Sequence, residues 1–403
     1  MKTGSNPMAA FVLVFLFSVF HLFACPVAAE SSTAGIEKIP AEHWPSFEDD
    51  EDLRLLAEAV SESIAYYERL PEDRVFTYGR ERYAAETLAA GLRRFRAFLK
   101  TRPEPAAFNE FIRENGSLYA YRENSRQLEV LFTGYYEPMI PGSLKSCGKF
   151  RYPVYSRPDD LVTIDSSAFA LKCSPKTLIG RIAGKKVVPY FNRSEIDAGV
   201  LEEKASPIAW VNDPVALFFL HVQGSGKILL EDGRHINLHY DISNGLPYKS
   251  IGKYLIDKGK IAAADMSMQK IAQYIRNNPR EEKEILRYNP RYIFFREGEN
   301  GVRGCLDAPL TGGRSVALDQ EASPPGALLY IKSSKPVCDG SGDIEKWVDF
   351  SRFALNQDTG SAIAGPQRAD LFWGSGDYAE TAAGYMKHPG RVYFLVIHPE
   401  DEP

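Results

Sequence analysis

A mainly β fold with helices at its N-terminal end is what this sequence predicts, on three observations. Apolar residues recur at helical spacing early in the chain, between Leu53 and Tyr67 and again between Ala84 and Glu114. From Glu129 the texture turns to short runs rich in Val, Ile, Tyr and Phe, broken by Gly and Pro, as small β-barrels read. The 403 residues also exceed what one average domain uses, so two folded units are expected.

The elements follow in order. Met8 to Ala24 is an apolar run behind a single lysine, short for a spanning helix, and reads as an export signal. Its end, LFAC, is similar to a bacterial lipobox and makes Cys25 the expected lipid-attachment residue; cleavage after Ala29 is the alternative. Either way residues 1–29 are a signal region and the protein works outside the cytoplasm. The polar stretch 30–51, with Pro40 and Pro45, is expected to be a tether. Leu53, Leu56, Ala57, Val60, Ile64 and Tyr67 then make one apolar helical stripe. A second helix is expected over Ala84–Lys100 and a third over Pro105–Glu114, with Pro105 in the first turn and Gly116 as the stop.

Strands are expected in EVLFTGYYEP, RYPVYSRP, PIAWVNDPVALFFLHVQG and KILLEDGRHINLHY. A helical interlude covers Gly252–Asn289, in which Asn278 reads as a cap and Pro279 as the first helical position. Strand texture returns in RYIFF, SVALD, ALLYIK, WVDFSRFAL and RVYFLVI. The polar EGENGVRG at Glu297–Gly304 and the neighbourhood of Gly134 are the expected crossings between units. Residues 52–133 and 300–398 would then build one domain around an inserted 134–299, with a ligand cleft between them.

Composition excludes several classes. A formal charge of -5 and a pI near 5.9, without a dense Lys/Arg block, argue against a nucleic-acid partner. Without Cys25, the cysteines Cys147, Cys173, Cys305 and Cys338 form an even set suited to disulfides in an oxidising compartment. Three pairings are open; chain proximity favours Cys147 with Cys173 and Cys305 with Cys338, and four free thiols are the alternative. No Cys-x-x-Cys pair suggests zinc, and His235 and His239 lack a nearby carboxylate, so no metal is expected. No GxSxG elbow is present and QGSGK lacks the phosphate-loop spacing, which leaves Ser225 without an obvious nucleophilic role.

Chemistry concentrates in NQDTGSAIAGPQRADLFWGSGD, Asn356 to Asp377. A general acid acting on a sugar must keep its proton near neutral pH, and partial burial beside apolar rings does this by disfavouring the charged form. In a strand, Asp370 would share one face with Phe372 while Leu371 and Trp373 take the other. The bland alternative is a turn cap or a pair with Arg368. Asp358, heading DTGSAIAG, reads as a residue holding backbone or hydroxyl groups, or simply an Asx turn; Asp319 carries the same ambiguity, and Asp377 reads as a solvated turn residue. Tyr135, Tyr136, Trp210, Trp373 and Tyr385 offer rings for sugar stacking or for core filling.

TGYYEP, PYFNRSEID, AWVNDPVALFFLHVQGSG, NPRYIFF and QDTGSAIAGPQRADLFWG occur in this order over Leu131–Val396. Together they resemble the membrane-bound lytic murein transglycosylase A family, and the C-terminal part resembles its three-aspartate domain, with Asp319, Asp358 and Asp370 as the three. The resemblance implies a double-psi β-barrel interrupted by a smaller β-domain, with peptidoglycan glycan strands lying in the groove. It places the catalytic acid on Asp370 and a supporting role on Asp358. Tyr135, Tyr136, Gln223, Gly224 and Ser225, with Trp373 nearby, would line the groove. Ser361 and Ala364 depart from the glycine and lysine that many relatives carry in this stretch.

The implied activity is cleavage of the β-1,4 bond between N-acetylmuramic acid and N-acetylglucosamine with formation of 1,6-anhydromuramic acid ends, without a cofactor. The implied setting is the periplasmic side of the outer membrane, held by a lipid anchor and open to partners in a wall-synthesis or wall-hydrolysis complex. Two alternatives stand beside it: a water-using murein hydrolase with an Asp358/Asp370 pair, and a non-catalytic wall-binding protein.

Overall fold

The first apolar stripe becomes the helix Leu53–Glu68, which buries Leu56, Ala59, Val60, Ile64 and Tyr67; Asp52 caps it by accepting from the Arg54 N–H. The second and third helices span Ala85–Leu99 and Pro105–Asn115, each burying one face in the same core. The computed structural model describes residues 35–400 except 125, 170–176, 300 and 361. Cys25, Cys173 and Ser361, with the signal-region and lipid-anchor expectations, lie outside the described residues.

Six strands, numbered here along the chain, form the main barrel: β1 (Val130–Glu137), β2 (Ser315–Ala317), β3 (Leu328–Cys338), β4 (Ile344–Asp358), β5 (Arg368–Ser375) and β6 (Lys387–Ile397). Their neighbours run β6–β3–β4–β2–β5–β1, and β1 pairs back onto β6, so the ring is closed. Two of the pairings, β2 with β4 and β1 with β5, are parallel; the other four are antiparallel. Closure leaves the ring without an open edge. The strand Gly116–Glu123 adds to β6, and Gly35–Lys38 adds to that strand.

The expected tether at 30–51 is, from Gly35 onward, part of the fold. Phe47 is fully buried, its ring centroid 4.9 Å from that of Tyr330 and 6.0 Å from that of Phe353. Behind it Asp49 takes both terminal nitrogens of the buried Arg314 at 2.7 Å, and Asp50 holds the buried Arg352 at 2.7 Å. The acids that make this segment look solvated are partners of interior arginines, which a local reading does not reveal.

The second sheet orders its strands as Ile293–Gly298, His235–Ser243, Gly226–Leu230, Met139–Ser143, Pro207–Val211 and Tyr152–Tyr155. A bridge from Ser156 to Phe295 brings its two ends together. Ile140, Val154, Val211, Leu220, Ile228 and Phe295 form a core of its own. The chain crosses into this lobe between Glu137 and Met139, later than Gly134, because β1 continues in the barrel to Glu137. Asn278 closes the helix Met268–Asn277, donating from its side chain to the Tyr274 carbonyl at 2.8 Å, rather than opening a helix; the next helix is Glu282–Tyr288.

Candidate active site

The site is built where β1, β5, β2 and β4 run side by side. The parallel register sets Thr133 against Asp370 and Tyr135 against Phe372. Because side chains alternate, these four share one face and Gly134, Leu371 and Trp373 take the other. β2 lies between β5 and β4, and its Ala317 neighbours both Asp370 and Asp358, which brings the two aspartates to one region.

Asp370 Oδ1 accepts from the Thr133 hydroxyl at 2.8 Å, and Arg368 Nη2 donates to the same Thr133 oxygen at 3.2 Å. Arg368 therefore reaches the acid through Thr133 as well as by its charge. Desolvation pushes the Asp370 carboxyl up to about 6, helped by the Asp358 charge and opposed by the Thr133 hydrogen bond and Arg368. The residue as a whole keeps partial exposure.

Asp358 is spoken for on both oxygens: Oδ2 accepts from the Tyr135 hydroxyl at 2.8 Å and Oδ1 from the Cys305 backbone N–H at 3.0 Å. Burial still raises its pKa, against those hydrogen bonds. Tyr135 packs on Phe372 with ring centroids 5.1 Å apart. The Cys305 thiol receives the Gln320 side-chain N–H at 2.7 Å and is pushed up to about 12 by desolvation and the Asp358 charge, so it is no thiolate nucleophile.

Other expected residues fall elsewhere. Asp319 accepts from the backbone N–H groups of Gly365, at 2.6 Å, and Glu321, at 2.9 Å, tying two loops together. Trp373, expected in the groove, is a core residue, 8% exposed, packed edge-on against Phe350 and Tyr378 and over Gly134. Tyr136 is also 8% exposed; with Tyr385, Glu380, Met268, Gln269 and Arg276 it lines a cleft of about 530 Å³. The lining of that cleft does not include Asp370.

Gln223 accepts from the Tyr136 N–H at 3.0 Å, at the junction of the lobes. Gly224, at φ 79°, ends the helix Pro214–Gln223 in the left-handed region, and Ser225 is buried. Asp377 opens the helix Asp377–Tyr385. Cys305 and Cys338 carry free thiols, as does Cys147, so the expected Cys305–Cys338 bridge is not formed. Cys305 is engaged beside Asp358, whereas Cys338 sits at the far end of β3 opposite Ile344. Among the described residues no group of three His, Cys, Asp or Glu could hold a metal; His239 bonds the Glu299 carbonyl at 3.0 Å.

The sequence reading missed Thr133 and the Cys305 N–H. Strand parity puts Thr133 on the Tyr135 face, but only the parallel register reveals that it meets an aspartate 237 residues away.

Residues 131–296 match the family described as the MltA specific insert domain, and residues 314–396 match the 3D domain. The chain is 36% identical over 273 residues to the membrane-bound lytic murein transglycosylase A of Escherichia coli K12, covering 67% of this chain and 66% of that one. The alignment thus spans about two thirds of that relative. The crystal structure of MltA from Neisseria gonorrhoeae, monoclinic form, is 31% identical with a TM-score of 0.66, covering 92% of this chain and 95% of that chain. The crystal structure of E. coli MltA with bound chitohexaose is 26% identical with a TM-score of 0.69, over 91% and 95% of the two chains.

Proposed function

The chain belongs to the membrane-bound lytic murein transglycosylase A family, and from this we propose that it is a lytic transglycosylase of peptidoglycan with Asp370 as its single acid and base. Protonated Asp370 gives its proton to the oxygen bridging N-acetylmuramic acid and N-acetylglucosamine as positive charge develops at the anomeric carbon. The resulting carboxylate then takes the proton of the muramic acid 6-hydroxyl, whose oxygen closes on its own anomeric carbon to form the 1,6-anhydro ring. One group serves both steps because the substrate's hydroxyl replaces water.

The observation that carries this reading is the contrast between the two carboxyls. Asp370 has one side-chain donor among the described residues, Thr133, and its carboxyl is pushed up to about 6. Asp358 has a donor on each oxygen, which suits it to holding Tyr135 and the Cys305 loop rather than to activating water. The hydrolase alternative needs Asp358 free, so the transglycosylase is favoured.

Glycan binding is supported by the chitohexaose bound in the E. coli relative's structure, and its groove is assigned here to the Asp370 face. The two parallel pairings within the closed ring support a double-psi barrel interrupted by the inserted lobe. Lipidation at Cys25 completes the proposal and would hold the protein at the outer membrane.

Mass spectrometry of murein digested by the wild type and by Asp370→Asn tests the reaction. Anhydro-ended muropeptides are expected from the wild type, with at least a ~100-fold loss in the variant. Reducing ends would establish hydrolysis instead, and binding without soluble product would establish a wall-binding protein.

A further inference from the structure

We infer that Thr133 fixes which oxygen of Asp370 carries the transferred proton: its hydroxyl hydrogen is committed to Oδ1, so the proton leaves from and returns to Oδ2. The inference rests on the reading of Asp370 as the acid and adds a positioning residue to it.

A guanidinium has only donors, so Arg368 Nη2, 3.2 Å from Thr133 Oγ1, makes that oxygen an acceptor. The hydroxyl has one hydrogen, and its partner is Asp370 Oδ1 at 2.8 Å. Arg368 and Asp370 stand two apart on β5 and so on the same face, and β1 holds Thr133 in register with Asp370. The orientation of the hydroxyl is therefore dictated by a cation on one side and a carboxyl on the other.

In a neutral carboxyl the carbonyl oxygen is the better acceptor. An oxygen already receiving the Thr133 hydrogen takes that part, which leaves Oδ2 as the hydroxyl oxygen that faces the glycosidic bond. After donation, the same hydrogen bond supports the carboxylate until Oδ2 accepts the 6-hydroxyl proton. No hydrogen changes place at Oδ1 in either step.

The other charged and titratable groups facing Asp370 are Arg368 on its own strand, Asp358 on β4 and Tyr135 on β1. Asp358 and Tyr135 make no hydrogen bond to Thr133, whereas Arg368 loses its acceptor there, so the valine variant is read beside the serine variant that keeps it. Thr133→Val removes the hydroxyl and keeps the shape; Thr133→Ser keeps the hydroxyl.

The carboxyl of Asp370 is followed by carbon-13 NMR titration of the substrate-free protein, alongside the pH profile of anhydro-muropeptide release. The lost bond favoured the charged form, so in Thr133→Val the titration midpoint and the alkaline limb of activity are expected to rise by about one pH unit. The maximal rate is expected to fall about tenfold, and Thr133→Ser is expected to restore both.

A folded Thr133→Val protein with the wild-type midpoint and profile overturns the inference. Should that variant not fold, Thr133→Ala provides the same comparison. Asp370→Asn is run in parallel: an active Asn variant overturns the acid assignment itself, whereas an inactive one beside an unchanged Thr133→Val overturns only the role of Thr133.

Discussion

At the scale of single residues, the raised pKa of Asp370 is a statement about stability as well as about catalysis. A carboxyl that titrates near 6 when folded and near 4 when unfolded binds its proton more tightly in the native state. Stability is therefore lost as pH rises between those values, and the loss is complete above them. Replacing the carboxyl by an amide removes that loss while leaving an acceptor for Thr133. Asp370→Asn is expected to be more stable than the wild type at pH 7.5 by on the order of 2 kcal/mol, with the difference gone below pH ~4. Thermal unfolding at the two pH values checks this, and equal melting at pH 7.5 contradicts it. Tyr135→Phe keeps the ring on Phe372 but strips Asp358 of one donor. A fall in turnover of about tenfold is expected in the same murein digest, together with a loss of about 1–3 kcal/mol in thermal unfolding.

At the scale of elements, β1 carries the site on one face and the core on the other, and Gly134 is where the two demands meet. A Cβ there would lie 2.7 Å from the Trp373 ring and 2.9 Å from the Ala383 backbone. Gly134→Ala is expected to cost about 1–3 kcal/mol and to reduce activity, because moving β1 moves Thr133 and Tyr135 together. Denaturant unfolding with a parallel activity assay measures both. Strand alternation at Asp370, Phe372 and Trp373 was legible in the sequence because it depends only on local period. The opposite faces of Tyr135 and Tyr136 follow from the same rule, yet the family likeness grouped both as groove residues. The cap at Asn278 was misread for a different reason. The Asn-Pro signal marks a break equally well when the asparagine ends one helix as when it begins another.

At the scale of the whole molecule, what the sequence concealed is long-range pairing. The β-rich texture was legible in the run composition, and the strand Arg368–Ser375 in its local alternation. The role of 35–51 was not, since Arg314 and Arg352 show their partners only after folding. That clamp predicts that Arg314→Met, which strands the 4%-exposed Asp49 carboxylate without its bidentate partner, destabilises the protein by about 3–5 kcal/mol. Faster proteolysis within 35–51, read together with a lowered urea midpoint, is the expected outcome; an unchanged midpoint contradicts it. Ring closure has a consequence in time. The ring is sealed only when Lys387–Gly390 of β6 meet Val130–Thr133 of β1. A polypeptide interrupted before Lys387 therefore lacks the strand that joins the last edge of the ring to the one carrying Thr133 and Tyr135.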